Sequence, residues 1–88
     1  MPVEKDIVIS HPEGLHARPA ASLVRMAKAY GGNITIGWDN QVIDARSILD
    51  ILSAGIDCGD VIKLAVHGED AKGMMDKLVR LLTSGAGK

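Results

Sequence analysis

Apolar residues recur along this chain with two different periods, and the order in which the periods alternate limits the folds that it can form. A repeat at every second residue predicts a strand with one buried face, and a repeat at three- and four-residue spacing predicts a helix with one buried face. The first repeat occurs in four segments, which we interpret as strands: 3–9, 34–38, a segment around Val42, and 61–66. The second occurs in three segments, which we interpret as helices: 17–30, 47–53 and 69–83. The predicted order is therefore β-α-β-β-α-β-α.

This order, in a chain of 88 residues, predicts a single α+β domain over residues 1–88. A chain of that length can build one core of two packed layers but no second domain. Because each predicted helix has an apolar stripe, we expect a sheet with helices covering one face. Asp39 and Asn40 are expected to form the tight turn of a β-hairpin, and the tail at 84–88 is expected to fray.

The composition argues against several classes of function. A net charge of −1 does not favour the basic surface that a nucleic-acid-binding protein needs. No apolar stretch approaches the length of a membrane span, and the first residues do not form a signal peptide. Cys58 is the single cysteine, so no internal disulfide can form, which fits a reducing compartment. We therefore expect a cytoplasmic protein that inserts into no membrane and binds no nucleic acid.

The histidines and the cysteine do not form a recognisable metal motif. His11, His16, His67 and Cys58 lack the spacing of zinc sites. We therefore expect a function that uses neither a metal nor another cofactor.

Residues 14–21, Gly-Leu-His-Ala-Arg-Pro-Ala-Ala, contain the start of the first predicted helix. Pro19 suits the first turn of a helix, where a missing N–H costs nothing and the fixed φ favours helix entry. That position places His16 at or next to the N-cap. Histidine is a poor cap, less favourable than Ser, Thr, Asp or Asn by about 1 kcal/mol. Such a departure from local preference is expected at a functional site.

The start of this helix is also suited to binding an anion. The first turn of a helix leaves backbone N–H groups free and carries a partial positive charge. Ala17 and Arg18 would offer their N–H groups beside the imidazole of His16, and the Arg18 guanidinium can bind two phosphate oxygens at once. The residues alone leave a second interpretation open, in which His16 is an ordinary surface side chain and Arg18 a solvated charge.

A family resemblance favours the first interpretation. Residues 14–20, Gly-Leu-His-Ala-Arg-Pro-Ala, closely resemble the active-site segment of HPr, the histidine-containing phosphocarrier of the bacterial sugar phosphotransferase system. Residues 46–55, Arg-Ser-Ile-Leu-Asp-Ile-Leu-Ser-Ala-Gly, resemble the second signature of that family, in which a serine opens a short apolar helix. The resemblance extends over residues 3–83, and two signatures in register are more specific than either alone.

The resemblance implies an open-faced β-sandwich, with a four-stranded antiparallel sheet and three helices on one face. In that family, enzyme I is charged by phosphoenolpyruvate and phosphorylates the histidine at Nδ1, and the group then passes to the IIA part of a sugar permease. By match to the motif, His16 is the phosphoryl acceptor, Arg18 is its electrostatic partner, and Ala17 and Arg18 bind the phosphate. The chain would then be a reactant in a relay rather than an independent catalyst.

A carrier must dock on its partners, so we expect an exposed apolar surface near His16. The second helix contains four apolar residues, which are too many for one buried face of a two-turn helix: Ile48, Leu49, Ile51 and Leu52. Some of them must therefore point outward. The expected apolar contact residues are Leu15, Ile48, Leu49 and Leu52.

A basic surface is expected beside this apolar one. Arg25 and Lys28 lie two and three turns along the first helix from Arg18. In the family, this basic face meets acidic partner surfaces, which would speed encounter. A carrier that docks on two partners in turn is expected to be a monomer.

Ser47 has two interpretations, and the residues leave both open. It is a favourable N-cap for the second helix, and Asp50 three residues on resembles a capping box. In many relatives the matching serine is phosphorylated by a dedicated HPr serine kinase/phosphorylase, which weakens docking. At the position of Asp50, the commoner residue in relatives is Gly or Lys. The negative charge of Asp50 would oppose a phosphate on Ser47. Glu13 is a second departure, since some relatives have Asn there.

Four functions stay open at this point. The first is the sugar-system carrier, and the second is a nitrogen-type or regulatory HPr paralogue without a sugar-transport partner, which neighbouring genes would distinguish. The third is a regulatory partner of a transcription factor or an enzyme, although relatives of that kind lack the histidine that stands here as His16. The fourth is an unrelated small-molecule-binding domain, for which the match at 14–20 would be a coincidence.

Overall fold

The computed structural model describes residues 2–83, and the chain forms four strands and three helices in the predicted order. The elements are β1 (Val3–Val8), α1 (Ala17–Ala29), β2 (Asn33–Trp38), β3 (Gln41–Asp44), α2 (Ile48–Ala54), β4 (Val61–His67) and α3 (Ala71–Thr83). The tail at 84–88, which we expected to fray, lies outside the described residues.

The four strands form one antiparallel sheet in the order β1-β4-β2-β3. Pairing brings apolar residues of neighbouring strands opposite one another: Ile7 faces Ile62, and Ile36 faces both Leu64 and Ile43. Because side chains alternate along a strand, these residues share one face of the sheet, and all of them are buried. The outward residues between them are exposed, as in Glu4, Asp6, Val42, Val61 and Lys63.

The helices cover the buried face of the sheet, which confirms the predicted α+β architecture. Each of the two long helices contributes a stripe of buried side chains: Leu23, Val24 and Ala27 from α1, and Met75, Leu78 and Leu82 from α3. The short helix α2 buries only Ile51. All of these residues join the inward side chains of the strands in one core. The chain has no Phe, so aliphatic side chains form this core, and each contributes about 1.5–3 kcal/mol when fully buried.

The hairpin between β2 and β3 confirms the turn predicted at Asp39 and Asn40. Trp38 pairs with Gln41 across a two-residue connection. The φ angles of Asp39 and Asn40 are 51° and 61°, so both residues adopt the left-handed conformation that a type I′ turn requires. Asp and Asn tolerate this conformation better than most residues, which is why the dipeptide predicts the turn.

The predicted start of the last helix, at Glu69, was wrong by two residues. The helix begins at Ala71, because Asp70 has a φ of 51° and lies outside the helical region. The Asp70 carboxylate accepts a hydrogen bond from the backbone N–H of Gly73 at 3.3 Å and so caps the first turn. Within residues 2–83, no helix combines the length and the apolar character needed to cross a membrane.

Candidate functional site

The loop before α1 packs directly against the loop between α2 and β4. Gly14 has a φ of +66°, and a Cβ at this position would lie 2.9 Å from both the Cα of Asp57 and the carbonyl oxygen of Ile56. The backbone N–H of Leu15 donates to that same Ile56 oxygen at 2.9 Å. The left-handed φ and the close approach together require glycine at position 14. This contact sets the position of the next residues, which begin α1.

His16 is the N-cap of α1, as the sequence predicted. Its backbone is extended, with φ −127° and ψ 170°, and its side chain makes no capping hydrogen bond. Ala17, the first residue of the helix, has a φ of +47°, in the left-handed region that costs about 1–2 kcal/mol for a residue with a Cβ. The imidazole therefore lies at the N-terminal end of the helix without a hydrogen bond to its backbone, and the backbone that positions it is strained. No pattern in the sequence indicated this strain.

The imidazole of His16 contacts Asp57, a residue that the sequence patterns did not indicate. The Nε2 atom of His16 lies 2.8 Å from Oδ1 of Asp57. An ionised carboxylate can only accept a hydrogen bond, so the ring donates through its Nε2–H group. The two side chains are 38% and 73% exposed respectively, so solvent reaches both. Asp57 is 41 residues away along the chain and lies in a loop, where periodicity carries no information about contacts.

A turn fixes the backbone that carries Asp57. Its N–H donates to the Oδ2 atom of Asp60 at 2.8 Å, and the N–H of Asp60 donates back to the carbonyl oxygen of Asp57 at 3.0 Å. The same loop also contacts the residue that follows β1: the N–H of Ile9 donates to the carbonyl oxygen of Asp60 at 2.8 Å. The loop is thus held at several backbone positions while the Asp57 carboxylate faces the ring.

Arg18 extends from the first turn of α1 into solvent. Its side chain is 91% exposed, and its Nη2 atom lies 3.8 Å from Oε2 of Glu13. An ion pair of that length at an exposed site contributes little, about 0–1 kcal/mol, and leaves the guanidinium able to turn toward another anion. The N–H groups of Ala17 and Arg18 have no partner inside the helix by its geometry, and Pro19 has no N–H. The helix start therefore offers donors for an anion beside His16.

Leu15 does not belong to the exposed surface, so the expectation that it contacts partners was wrong. Its side chain is completely buried in the core. The cause is the contact described above: the bond from its N–H to Ile56 draws the loop onto the protein and turns the side chain inward. The buried side chain of Leu15 therefore anchors the loop that carries His16 to the core.

The short helix α2 exposes two leucines, as the excess of apolar residues predicted. Leu49 is 74% exposed and Leu52 is 41% exposed, while Ile51 is buried in the core. Ile48 is half-buried and packs against the core. On α1, which packs against α2, Arg25 and Lys28 are exposed. Of the predicted contact residues, Leu49 and Leu52 on α2 and Arg25 and Lys28 on α1 thus lie on the surfaces of two neighbouring helices.

Ser47 is the N-cap of α2, which confirms its predicted capping role. Its Oγ atom accepts a hydrogen bond from the backbone N–H of Asp50 at 3.4 Å. The side chain of Ser47 is half-buried and that of Asp50 is exposed.

An ion pair precedes this cap. Two nitrogens of the Arg46 side chain, Nε and Nη2, donate to the two carboxylate oxygens of Asp44 at 3.2 and 3.1 Å, and the Arg46 backbone N–H donates at 2.9 Å. The hydrogen bonds from the Arg46 side chain, followed by the one from its backbone, lower the pKa of Asp44 below its ordinary value. The same pairing raises the pKa of Arg46. Among residues 2–83, no group of three or more His, Cys, Asp and Glu side chains is placed to hold a metal ion.

Comparison with known proteins identifies the family. The family model described as the PTS HPr component phosphorylation site matches residues 3–84. The chain is 37% identical to the phosphocarrier protein HPr of Streptomyces coelicolor, over 93% of this chain and 89% of that protein. It is 34% identical to the phosphocarrier protein HPr of Buchnera aphidicola, over 91% of this chain and 94% of that protein.

Solved structures show the same fold. A crystal structure of a phosphocarrier protein HPr from Bacillus anthracis superposes with a TM-score of 0.86 at 33% identity, covering 92% of this chain and 96% of that one. A crystal structure of HPr from Thermoanaerobacter tengcongensis also gives a TM-score of 0.86, at 39% identity, covering 93% of this chain and 92% of that one. These matches confirm the resemblance seen in the two signatures and rule out an unrelated small-molecule-binding domain. The chain therefore belongs to the HPr family and has the role of a phosphocarrier in the phosphotransferase system.

Proposed function

We propose that this chain accepts a phosphoryl group on His16 from phosphorylated enzyme I and passes it to a IIA protein or domain of a sugar permease. The observation that carries the proposal is the position of His16 at the N-cap of α1, with its side chain unused as a cap. This residue lies inside the segment that resembles the HPr active site and inside the range that matches the family model. The N-cap position and the active-site segment at 14–20 select His16 over His11 and His67, which lie outside that segment.

The helix start supplies the groups that a phosphorylated imidazole needs. The free N–H groups of Ala17 and Arg18 and the positive end of the helix dipole favour a dianion beside the ring. The exposed Arg18 guanidinium adds a positive charge that can reach phosphoryl oxygens. Phosphoryl transfer depends mostly on positioning and on neutralising charge, so these residues suffice for a carrier that reacts in the active site of its partner.

The partner surface in this proposal consists of the exposed side chains Leu49 and Leu52, the half-buried Ile48, and the cations Arg25 and Lys28. Exposed leucines and cations on two helices that pack together fit a partner surface with an apolar centre and acidic residues around it. A Haemophilus influenzae protein named multiphosphoryl transfer protein is 32% identical to this chain. The matched region covers 91% of this chain and 17% of that protein. Its name supports a relay in which such a domain works beside other phosphoryl-transfer domains. We propose that the present chain acts as a monomer in the cytoplasm.

Ser47 is the second modification site in this proposal, with an HPr serine kinase/phosphorylase as its enzyme. A phosphate there would add a charge of about −1.5 to −2 next to the exposed leucines and repel an acidic partner. The capping bond to Asp50 explains Ser47 without any phosphorylation, and the Asp50 carboxylate would oppose the added charge. Incubation with the kinase and ATP decides the question: a phosphate on Ser47 supports the site, and an unmodified Ser47 ends it.

The branch of the phosphotransferase system is a separate part of the proposal. We favour the sugar branch, because the signature at 14–20 matches its carriers, over a nitrogen-type or regulatory paralogue. Transfer of label from the phosphorylated chain to a sugar-type IIA supports the sugar branch. Transfer only to a nitrogen-type IIA would favour the alternative.

The acceptor itself is tested by labelling. Incubation with phosphoenolpyruvate and purified enzyme I should give a phosphate that is labile in acid and stable in base, and the substitution His16→Ala should abolish it. His67→Ala is the matched control, because His67 is exposed at the end of β4, and this variant should label as the wild type does. Labelling that survives His16→Ala would overturn the proposal.

A further inference from the structure

We propose that Asp57 is the positioning residue for His16 in phosphoryl transfer. In this inference, which rests on the proposed function, the carboxylate accepts the Nε2–H of the ring, holds the lone pair on Nδ1 ready to react, and offsets the positive charge that the ring gains. The observation that carries the inference is the 2.8 Å distance between Nε2 of His16 and Oδ1 of Asp57.

The hydrogen bond assigns the two ring nitrogens different roles. A neutral imidazole has one N–H and one nitrogen with a lone pair, and the partner of one nitrogen determines the state of the other. Because the Asp57 carboxylate only accepts, the proton lies on Nε2 and the lone pair lies on Nδ1. The nitrogen that faces Asp57 is therefore blocked as a nucleophile, and Nδ1 is the atom that can attack phosphorus.

The same contact accounts for charge during the transfer. The Nδ1 lone pair forms the bond to phosphorus, and the electron pair of the bond between phosphorus and the donor returns to the donor. No proton leaves the attacking nitrogen, so the ring keeps its Nε2–H and gains one positive charge. A fixed carboxylate at that N–H stabilises the charge where it develops. When the group passes to the next acceptor, the N–P electron pair returns to Nδ1 and the charge disappears, so Asp57 serves transfer in both directions.

The position of Asp57 is set before any reaction occurs. The backbone of Gly14 touches that of Asp57, and the turn closed by Asp60 fixes the residue from the other side. A carboxylate held in this way needs little reorganisation when the ring becomes charged. The Asp57 side chain is 73% exposed, so water weakens the interaction and the expected effect on rate is moderate.

The experiment compares Asp57→Ala with Asp76→Ala, which removes the same charge from an exposed position of α3. The rate of phosphorylation by enzyme I should fall about twofold to fivefold in Asp57→Ala, as expected for an exposed charged pair, and should stay at the wild-type level in Asp76→Ala. Backbone amide spectra of both variants establish that the fold is kept.

A second readout separates positioning from a merely structural role. Long-range ¹H–¹⁵N spectra of the unphosphorylated protein distinguish a protonated ring nitrogen from one with a lone pair. The wild type and Asp76→Ala should show the proton on Nε2 of His16, and Asp57→Ala should show an increased fraction with the proton on Nδ1. An unchanged rate, or unchanged His16 spectra in Asp57→Ala, would overturn the role of Asp57 while leaving His16 as the acceptor. Labelling that persists in His16→Ala would instead overturn the proposed function itself.

Discussion

The backbone of Gly14 touches the backbone of Asp57, so that a Cβ at position 14 would lie 2.9 Å from the Cα of Asp57. This contact joins the two loops that carry the candidate acceptor and its hydrogen-bond partner. One loop presents His16 at the start of α1, and the other presents the Asp57 carboxylate to the ring. The geometry of the site therefore depends on a residue that has no side chain.

Gly14→Ala tests that dependence. The left-handed φ and the steric overlap act together, so the free energy of unfolding should fall by about 2–4 kcal/mol. Gly55→Ala is the matched control, because Gly55 has a similar φ of +68° but no atom within 4 Å of the added Cβ, and it should cost only about 1–2 kcal/mol. Urea unfolding of both variants provides the comparison. Equal destabilisation would show that the contact between the loops has no special role.

Ala17→Gly should stabilise the protein, in contrast to most Ala to Gly changes in helices. Relief of the left-handed φ of Ala17 contributes about 1–2 kcal/mol, and the extra chain entropy of glycine removes about 0.5–1 kcal/mol, for a net gain of up to about 1.5 kcal/mol. Ala21→Gly, one turn further along α1, should instead lower the free energy of unfolding by about 1 kcal/mol. If both variants are destabilised equally, the backbone at Ala17 is not strained.

Leu49→Ala should affect partner binding and leave stability nearly unchanged. The side chain of Leu49 is 74% exposed, so its truncation should change the free energy of unfolding by less than about 0.5 kcal/mol. As part of the proposed partner surface, it should raise the KM for this chain as a substrate of enzyme I about threefold to tenfold. Ile51→Ala, on the buried side of α2, should leave the KM nearly unchanged and lower the free energy of unfolding by about 2–5 kcal/mol. A wild-type KM for Leu49→Ala would remove Leu49 from the proposed surface.

Arg46→Ala should raise the pKa of Asp44 in the folded protein, because hydrogen bonds from Arg46 lower it. A carboxyl whose pKa is lowered by folding contributes stability above its unfolded pKa of about 3.9, and that contribution is lost as the pH falls through the folded pKa. The stability difference between wild type and variant should therefore be present at neutral pH and vanish in acid. An NMR titration of the Asp44 carboxyl group measures the shift directly, and identical titration curves in the two proteins would contradict the assignment.

The elements of this fold were predictable because their signals are local. Alternating apolar residues predicted the strands, and Pro19 placed His16 at the N-cap. The turn at Asp39 and Asn40 follows from residues that tolerate a positive φ. The start of α3 was misplaced by two residues, since an apolar stripe does not show where the first turn begins and Asp70 acts as a cap there. The predicted bounds of the other helices and strands differ from the observed ones by at most one residue.

The candidate site was predictable only in part, because two of its features depend on contacts between loops. Leu15 is a single apolar residue between Gly14 and His16, and no period indicates whether it points inward. It is buried because the loop rests on Ile56, a contact distant in sequence. Asp57 faces the ring for the same reason. Local patterns predict where a loop lies in the chain but not which other loop it touches.

The atom that carries the phosphoryl group provides the most direct test of the central claim. The wild-type protein, labelled with ¹⁵N and phosphorylated by enzyme I and phosphoenolpyruvate, should show ³¹P–¹⁵N coupling to Nδ1 of His16, with the proton still on Nε2 next to Asp57. That result would place the phosphoryl group on the nitrogen that the hydrogen bond leaves free. Phosphorus coupled to Nε2 of His16, or bound to any other residue, would contradict the account.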